Sequence, residues 1–162
     1  MSKEIRPVYT LLSPDRVALQ LTATDKADAI RQLVALLDGH PSVTNLEEVG
    51  ASVLKRERVM STGVGKGLAL PHAKTDAVKD LVVALAITEE AIPFEAIDEQ
   101  PVRILLLMVA PPDAAMQHIR LLGHIPRMMN REQFRHRLLH ASDAASVLRF
   151  FEEEETRMRD EN

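Results

Sequence analysis

Three of the six glycines in this 162-residue chain lie close together, at Gly63, Gly65 and Gly67, shortly before Pro71 and His72. A neutral imidazole is a competent nucleophile near neutral pH, because the unperturbed histidine pKa of about 6.5 leaves most of the population unprotonated. Proline has no N–H and favours an extended residue before it, which suits the end of a strand. The segment therefore predicts a flexible loop that enters a short strand and holds His72 at a sheet terminus, where α/β proteins place ligands.

The same segment matches neither of the common glycine-rich nucleotide motifs. A Walker A loop would need glycine at position 60 and serine or threonine at position 67, where Met60 and Gly67 stand. A dinucleotide fingerprint starting at Gly63 would need its third glycine at Leu68, and it should follow a strand rather than a helix. Taken alone, the segment also fits ordinary scaffolding, namely a glycine-rich hairpin followed by a strand that ends at a surface histidine.

The residues themselves resemble the phosphorylation-site signature of a known family, the type-2 IIA (EIIA) components of the phosphoenolpyruvate-dependent sugar phosphotransferase system (PTS). The stretches that carry the resemblance are Arg56-Glu57, Ser61-Thr62-Gly63-Val64-Gly65 and Gly67-Leu68-Ala69-Leu70-Pro71-His72. The resemblance extends through residues 92–111 and to the spacing between His72 and His118. It covers residues 5–151 as one type-2 PTS EIIA domain, of the fructose, mannitol and nitrogen-regulatory type and most like the nitrogen-regulatory protein.

The resemblance implies a phosphoryl carrier, more than a turnover enzyme, that needs no cofactor and no metal. His72 would accept a phosphoryl group from a histidine phosphocarrier protein. His118 would donate a hydrogen bond to the phosphoryl oxygens, and Arg56 would supply positive charge through its fixed donor fork. Supporting contacts to the phosphate are expected from Ser61, Thr62, Gly63 and Gly65.

Some of these residues have plain structural alternatives, and the chain departs from the family pattern at several positions. His118 falls among apolar residues of a predicted helix and could be a core histidine, while Arg56 could simply favour a helix C-terminus. Lys66 stands where the family usually has asparagine, and Ala73 replaces the glycine that commonly follows the active histidine. Pro126 interrupts a helix that is usually continuous. These departures put the local shape of the partner surface in doubt.

Hydrophobic periodicity predicts the elements that position these residues. Amphipathic helices are expected over residues 25–38, with Thr24 or Asp25 as the N-cap, and over residues 45–58, with Asn45 as the N-cap. Strands are expected over 17–21, 67–70, 81–87 and 102–110, the last two apolar enough to be buried on both faces.

The chain after Pro112 is predicted to be helical. Asp113 is the predicted N-cap, and Pro126 should kink or end the first helix near Ile125. The buried stripe of that helix is expected to hold Ala115, Ile119, Leu122, Ile125 and Met129. Further helices are expected over 131–140 and 143–155, and residues 152–162 are expected to form an acidic, frayed tail.

Together these elements predict an α/β fold, a single domain with a mixed β-sheet flanked by α-helices. The composition, 46% hydrophobic and 27% charged, is typical of one folded domain. The acidic tail accounts for the whole net charge of −4, and only five residues are aromatic, so nucleic acid is not an expected partner. The apolar runs are too short for membrane insertion, which makes a cytoplasmic location the default expectation.

The chain contains no cysteine. In the family that it resembles, the usual acceptor of the IIA phosphoryl group is a cysteine of a IIB subunit, so onward transfer would have to reach another polypeptide. We expect a nitrogen-regulatory signalling role, in which the phosphorylation state alters binding to regulatory target proteins. The alternatives are a separately encoded fructose- or mannitol-type transport subunit that donates to a IIB subunit, and a binding module that has lost transfer.

Overall fold

The computed structural model describes residues 5–161, and within that range it contains one mixed sheet of six strands. The strands are β1 (Val17–Leu21), β2 (Gly63–Gly65), β3 (Leu68–Ala69), β4 (His72–Lys74), β5 (Val82–Ile92) and β6 (Val102–Ala110). Their order is β1-β5-β6-β3-β2, and β4 pairs with β6 farther along that strand. Because β1 is parallel to β5 while β5 and β6 are antiparallel, the sheet is mixed, which confirms the predicted fold class.

Helices cover both faces of the sheet. The described residues form α1 (Val8–Leu11), α2 (Lys26–Ala35), α3 (Leu46–Val59), α4 (Ala115–Met129), α5 (Glu132–Leu139) and α6 (Ala144–Asp160). Apolar residues of α2 and α3 pack on one face, and those of the other four helices pack on the opposite face. Among residues 5–161, no helix has the length and apolar character that crossing a membrane requires.

The central strand β6 supplies side chains to both cores. Alternate residues point to opposite faces of a strand. The side chains that pack with α2 and α3 are Leu105, Leu107 and Val109. The side chains that pack with α4, α5 and α6 are Ile104, Leu106 and Met108. All six are at most 1% exposed, as predicted for a strand buried on both faces.

Side-chain caps begin three of the helices where the sequence predicts them. The carboxylates of Asp25 and Asp143 and the amide oxygen of Asn45 each accept a hydrogen bond from the backbone N–H three residues later, at 2.7 to 3.1 Å. These contacts confirm the starts of α2, α3 and α6. The helix α2 ends at Ala35, earlier than predicted, and turns lead from it to Gly39, whose φ of 80° lies in the left-handed region.

The expected start of α4 is wrong, and of the two effects expected of Pro126, a kink or an end of the helix, the end does not occur. Asp113 lies in a short 3-10 turn and makes no capping hydrogen bond, and the helix begins after Ala114 instead. Pro126 does not end the helix, which continues to Met129. A proline in the last turn removes one backbone hydrogen bond, and the burial of the apolar residues on both sides of it compensates for that loss.

The face that α4 buries is rotated from the predicted stripe. Ile119 was expected to face the core but is 62% exposed, whereas His118 is only 6% exposed and Leu121 is fully buried. Ile125 and Met129 are buried as predicted. Apolar residues occupy more than half of the circumference of α4, so periodicity alone could not decide which part of that surface faces the sheet.

The segment expected to form a frayed acidic tail is helical as far as Asp160, and only its last residue lies outside the described range. Two of its carboxylates are buried and paired. Glu154 contacts the guanidinium of Arg131 at 3.1 Å. Glu155 accepts hydrogen bonds from the first two N–H groups of α1 and lies 2.8 Å from Nε2 of His124. These long-range pairs, which the local sequence does not reveal, hold the end of α6 against the domain.

Candidate functional site

A cavity of about 510 Å³ opens between α3, β4 and α4. His72, His118 and Arg56 all line it, so the structure brings together the three residues that the sequence singled out. Lys55 and Lys74 also lie in its wall, and none of the lining residues is acidic. A concave wall with several positive charges and no carboxylate attracts anions.

His72 is the first residue of β4, where the chain resumes pairing with β6. The expected strand ends before Pro71, since β3 stops at Ala69, but the expectation that His72 lies at a sheet terminus is wrong, because His72 begins β4. The carbonyl oxygen of Pro71 accepts a hydrogen bond from Met108 N at 3.0 Å, and His72 lies opposite Met108 in the parallel register. Pairing on both sides of the interruption holds His72 in a fixed place beside the cavity.

The hydrogen bond of the His72 ring determines its tautomer. Nδ1 lies 2.8 Å from the carbonyl oxygen of Leu70. Because a carbonyl oxygen can only accept, Nδ1 must carry the proton of the neutral ring. Nε2 therefore holds the free lone pair, and it is the nucleophilic atom of this imidazole.

The surroundings of His72 favour this neutral form. Burial lowers the pKa of the His72 imidazole below its ordinary value of 6.5, and the nearby Arg56 guanidinium lowers it further, against the opposing effect of the Leu70 hydrogen bond. At neutral pH the ring is therefore unprotonated at Nε2 and available for covalent chemistry.

His118 projects from α4 to the side of His72. The ring centroids are 5.3 Å apart and the ring planes make an angle of 80°. Burial, with smaller contributions from the charges of His72 and Lys74, lowers the pKa of His118 to about 4. Its Nε2 atom is buried and has no hydrogen-bond partner among the described residues. A buried polar atom without a partner is uncommon, and here it lies beside the candidate nucleophile.

Arg56 lies in the last turn of α3, where the guanidinium reaches the cavity from the helix end. Its Nη1 donates a hydrogen bond to the carbonyl oxygen of Met60 at 2.8 Å. The guanidinium has five N–H donors, so this contact fixes its position and leaves most donors available.

None of the four predicted supporting residues lines the cavity. The Ser61 hydroxyl donates to the carbonyl oxygen of Phe94 at 2.6 Å, and the Thr62 hydroxyl and N–H both donate to the Glu57 carboxylate. Both hydroxyls are thus hydrogen-bonded within the protein, and the expectation that they contact phosphate stays a prediction.

The predicted flexible loop is a short hairpin of β2 and β3. Gly63 lies against Ala96, whose Cβ would be 2.7 Å from an added side chain, so only glycine fits there. Gly65 has a φ of 100°, which a residue with a Cβ rarely adopts. Lys66 stands where the family usually has asparagine. Its ammonium group donates a hydrogen bond to Asn130 Oδ1 at 2.8 Å and does not line the cavity.

Three polar residues of the wall were not singled out from the sequence, namely Ser52, Lys55 and Lys74. Weak signals for two of them were present. Lys74 is two residues from His72 on a strand, and Ser52 is four residues from Arg56 on a helix, spacings that place side chains on a common face. Lysine and serine are so frequent on surfaces that these spacings alone do not distinguish them.

Comparison with known proteins gives a consistent result. Residues 10–154 match the family model described as "Phosphoenolpyruvate-dependent sugar phosphotransferase system, EIIA 2". The chain is 31% identical over 144 residues to the "PTS system fructose-specific EIIA component" of Haloferax volcanii, covering 89% of this chain and 94% of that protein. It is 27% identical to the "PTS system fructose-specific EIIABC component" of Bacillus subtilis over 87% of this chain but only 22% of that longer protein.

A solved structure shows the same fold. The nitrogen regulatory protein IIA-Ntr from Neisseria meningitidis matches with a TM-score of 0.83 and 25% sequence identity. The match covers 89% of this chain and 98% of that one. The similarity in fold therefore extends over most of this chain.

The low pKa of His118 predicts a loss of stability in acid. The unfolded chain binds a proton at this imidazole near the ordinary pKa of 6.5, whereas the folded chain does so only near about 4, so the free energy of unfolding falls between these values. We expect His118→Gln to remove about 2 kcal/mol of the fall between about pH 7.5 and about pH 5, measured by urea denaturation. His136→Gln, at an exposed histidine, is the control and should leave the fall unchanged. An equal fall in the free energy of unfolding in the wild type and in His118→Gln would contradict the assignment of the low pKa to His118.

Proposed function

Because this chain belongs to the family of PTS EIIA type-2 domains, we propose that it is a phosphoryl carrier whose acceptor atom is Nε2 of His72. The observation that carries the proposal is that His72, His118 and Arg56 line one cavity without any acidic side chain. The donor that we propose is a phosphorylated histidine phosphocarrier protein.

The transfer step needs no other reactant. The Nε2 lone pair of His72 attacks phosphorus, a nitrogen–phosphorus bond forms, and the donor's own nitrogen–phosphorus bond breaks with its electron pair returning to the donor imidazole. The Nδ1 proton stays on His72, so the phosphorylated ring carries a positive charge. The hydrogen bond to the Leu70 carbonyl strengthens as that charge develops, because charge-assisted hydrogen bonds are stronger than neutral ones.

The cavity wall supports this step electrostatically. Phosphoryl transfer passes through a loose transition state whose charge is spread over the equatorial oxygens, so catalysis depends on placing donors and positive charge around them. Arg56, Lys55 and Lys74 supply positive charge from two sides of His72. In the neutral tautomer that carries its proton on Nε2, His118 supplies a donor that has no competing partner among residues 5–161.

We propose further that the phosphorylated form acts in nitrogen-regulatory signalling through regulatory target proteins. The similarity to a nitrogen regulatory IIA-Ntr structure supports this role. The competing role, a transport subunit that donates to a IIB cysteine, is favoured by the 31% identity to a fructose-specific EIIA component. No cysteine occurs in these 162 residues, so a IIB acceptor would lie elsewhere.

Phosphorylation in a purified system tests the carrier function. Incubation with enzyme I, the histidine phosphocarrier protein and radiolabelled phosphoenolpyruvate is expected to add one acid-labile phosphoryl group per chain. His72→Ala should abolish the label because it removes the nucleophile, and His136→Ala should retain it. Undiminished labelling of His72→Ala would refute the proposal.

The role of His118 is tested by His118→Ala. We expect transfer to His72 to slow by about tenfold to a hundredfold, because an oriented donor to the transferring group is lost. The rate is measured in a single turnover, and thermal unfolding is recorded beside it. Normal transfer together with a collapse of stability would instead identify a core histidine.

The regulatory role and the transport role differ in where the phosphoryl label goes. If the chain is regulatory, the phosphorylated protein should keep its label when a fructose-specific IIB domain is added. It should return the label to unphosphorylated histidine phosphocarrier protein, which serves as the positive control. Rapid movement of the label to the IIB cysteine would overturn the regulatory role and support transport.

A further inference from the structure

The carboxylate of Glu57 is buried at the end of α3, with its side chain 5% exposed. Oε1 accepts a hydrogen bond from the Thr62 hydroxyl at 2.5 Å. Oε2 accepts one from Thr62 N at 2.8 Å and lies 2.8 Å from Nζ of Lys26. A buried charge is unfavourable without partners, so these contacts tie the helix end firmly to Thr62.

A continuous series of hydrogen bonds leads from Glu57 to the ring of His72. Glu57 holds the N–H and the hydroxyl of Thr62, and the carbonyl oxygen of Thr62 accepts from Leu70 N at 3.0 Å. The carbonyl oxygen of Leu70 then accepts from Nδ1 of His72 at 2.8 Å. The placement of Thr62 therefore bears on the contact that fixes the His72 tautomer.

The same carboxylate also bears on Arg56. Met60 lies in the short link between α3 and Thr62, and its carbonyl oxygen accepts the hydrogen bond from Arg56 Nη1. The Met60 residue is 69% exposed, so packing contributes little to the position of this link. The contacts of Glu57 with Thr62, together with the hydrogen bond from the Ser61 hydroxyl to the Phe94 carbonyl, restrain the far end of the link.

We infer that Glu57 is a positioning residue for phosphoryl transfer, which fixes the nucleophile His72 and the cation Arg56 together through Thr62. The inference rests on the proposed function of the cavity. Glu57 itself does not line the cavity, so it positions His72 and Arg56 through these neighbours, and its charge also opposes the lowering of the His72 pKa. The positive charge of Lys26 balances the buried carboxylate and is part of the same arrangement.

The chain offers a matched control in Glu155. This carboxylate is also buried, accepts hydrogen bonds from two backbone N–H groups, those of Val8 and Tyr9, and lies beside a basic side chain, His124. It does not line the cavity. A general loss of stability should therefore be common to variants of both glutamates, whereas a positioning effect belongs to Glu57 alone.

The experiment compares Glu57→Ala, Glu57→Gln and Glu155→Ala. We expect Glu57→Ala to slow transfer at saturating phosphorylated phosphocarrier protein by about tenfold or more, since small displacements of reacting groups are costly. We also expect the ¹⁵N shifts of His72 to show a smaller population protonated at Nδ1. Glu57→Gln should recover most of the rate, because its amide can accept from Thr62 N and donate to the Thr62 hydroxyl. Glu155→Ala should lose stability but transfer at the wild-type rate.

If Glu57→Ala does not fold, Thr62→Val removes one of the two contacts and should change the rate and the His72 tautomer in the same direction. A wild-type rate and tautomer in these variants would overturn the inference, and so would equal slowing of Glu155→Ala. The tautomer measurement needs no phosphoryl donor. It therefore still tests Glu57 if His72→Ala shows that the proposed carrier function is wrong.

Discussion

The hydrogen bond from His72 Nδ1 to the Leu70 carbonyl decides which ring nitrogen can react. By holding the proton on Nδ1, it leaves the Nε2 lone pair free without any titration event near neutral pH. The contact forms in a segment that stays in register with β6, since β3 ends at Ala69, β4 begins at His72, and both strands pair with β6 in the same parallel register. The candidate nucleophile therefore depends on a local contact between the ring and the carbonyl of a residue two positions earlier, on a backbone that the sheet holds in place.

The sheet around His72 is closely packed. Strand β6 is buried on both faces and pairs with β3, β4 and β5, so it provides a fixed reference for the residues on either side of Pro71. The left-handed residues Gly65 and Gly67 lie in the neighbouring hairpin of β2 and β3 and do not line the cavity. Regular, apolar structure therefore positions the candidate nucleophile.

Two features determine the electrostatics of the cavity: its two histidines are largely buried, and its wall carries cations but no carboxylate. His72 and His118 are kept neutral by desolvation, while Lys55, Arg56 and Lys74 face the same space. The carboxylates near α3 and α6 are turned away from it into pairs such as Glu57 with Lys26. In the proposed transfer, a phosphoryl group would meet positive charge in a wall that holds no acidic side chain, in a partly dehydrated setting where such interactions are stronger than in water.

The sequence by itself determined the α/β class, the strand ranges 17–21 and 102–110, and the starts of the helices that follow Asp25, Asn45 and Asp143, while the resemblance to a known family singled out His72, His118 and Arg56. The elements follow from local periodicity and capping chemistry, and the three residues follow from a motif with strict spacing. Only the tertiary structure decided that Ser61 and Thr62 turn away from the cavity, that α4 exposes Ile119, and that α6 continues to Asp160. Those outcomes depend on partners distant in the chain, such as Phe94 for Ser61 and His124 for Glu155, and local sequence carries no information about them.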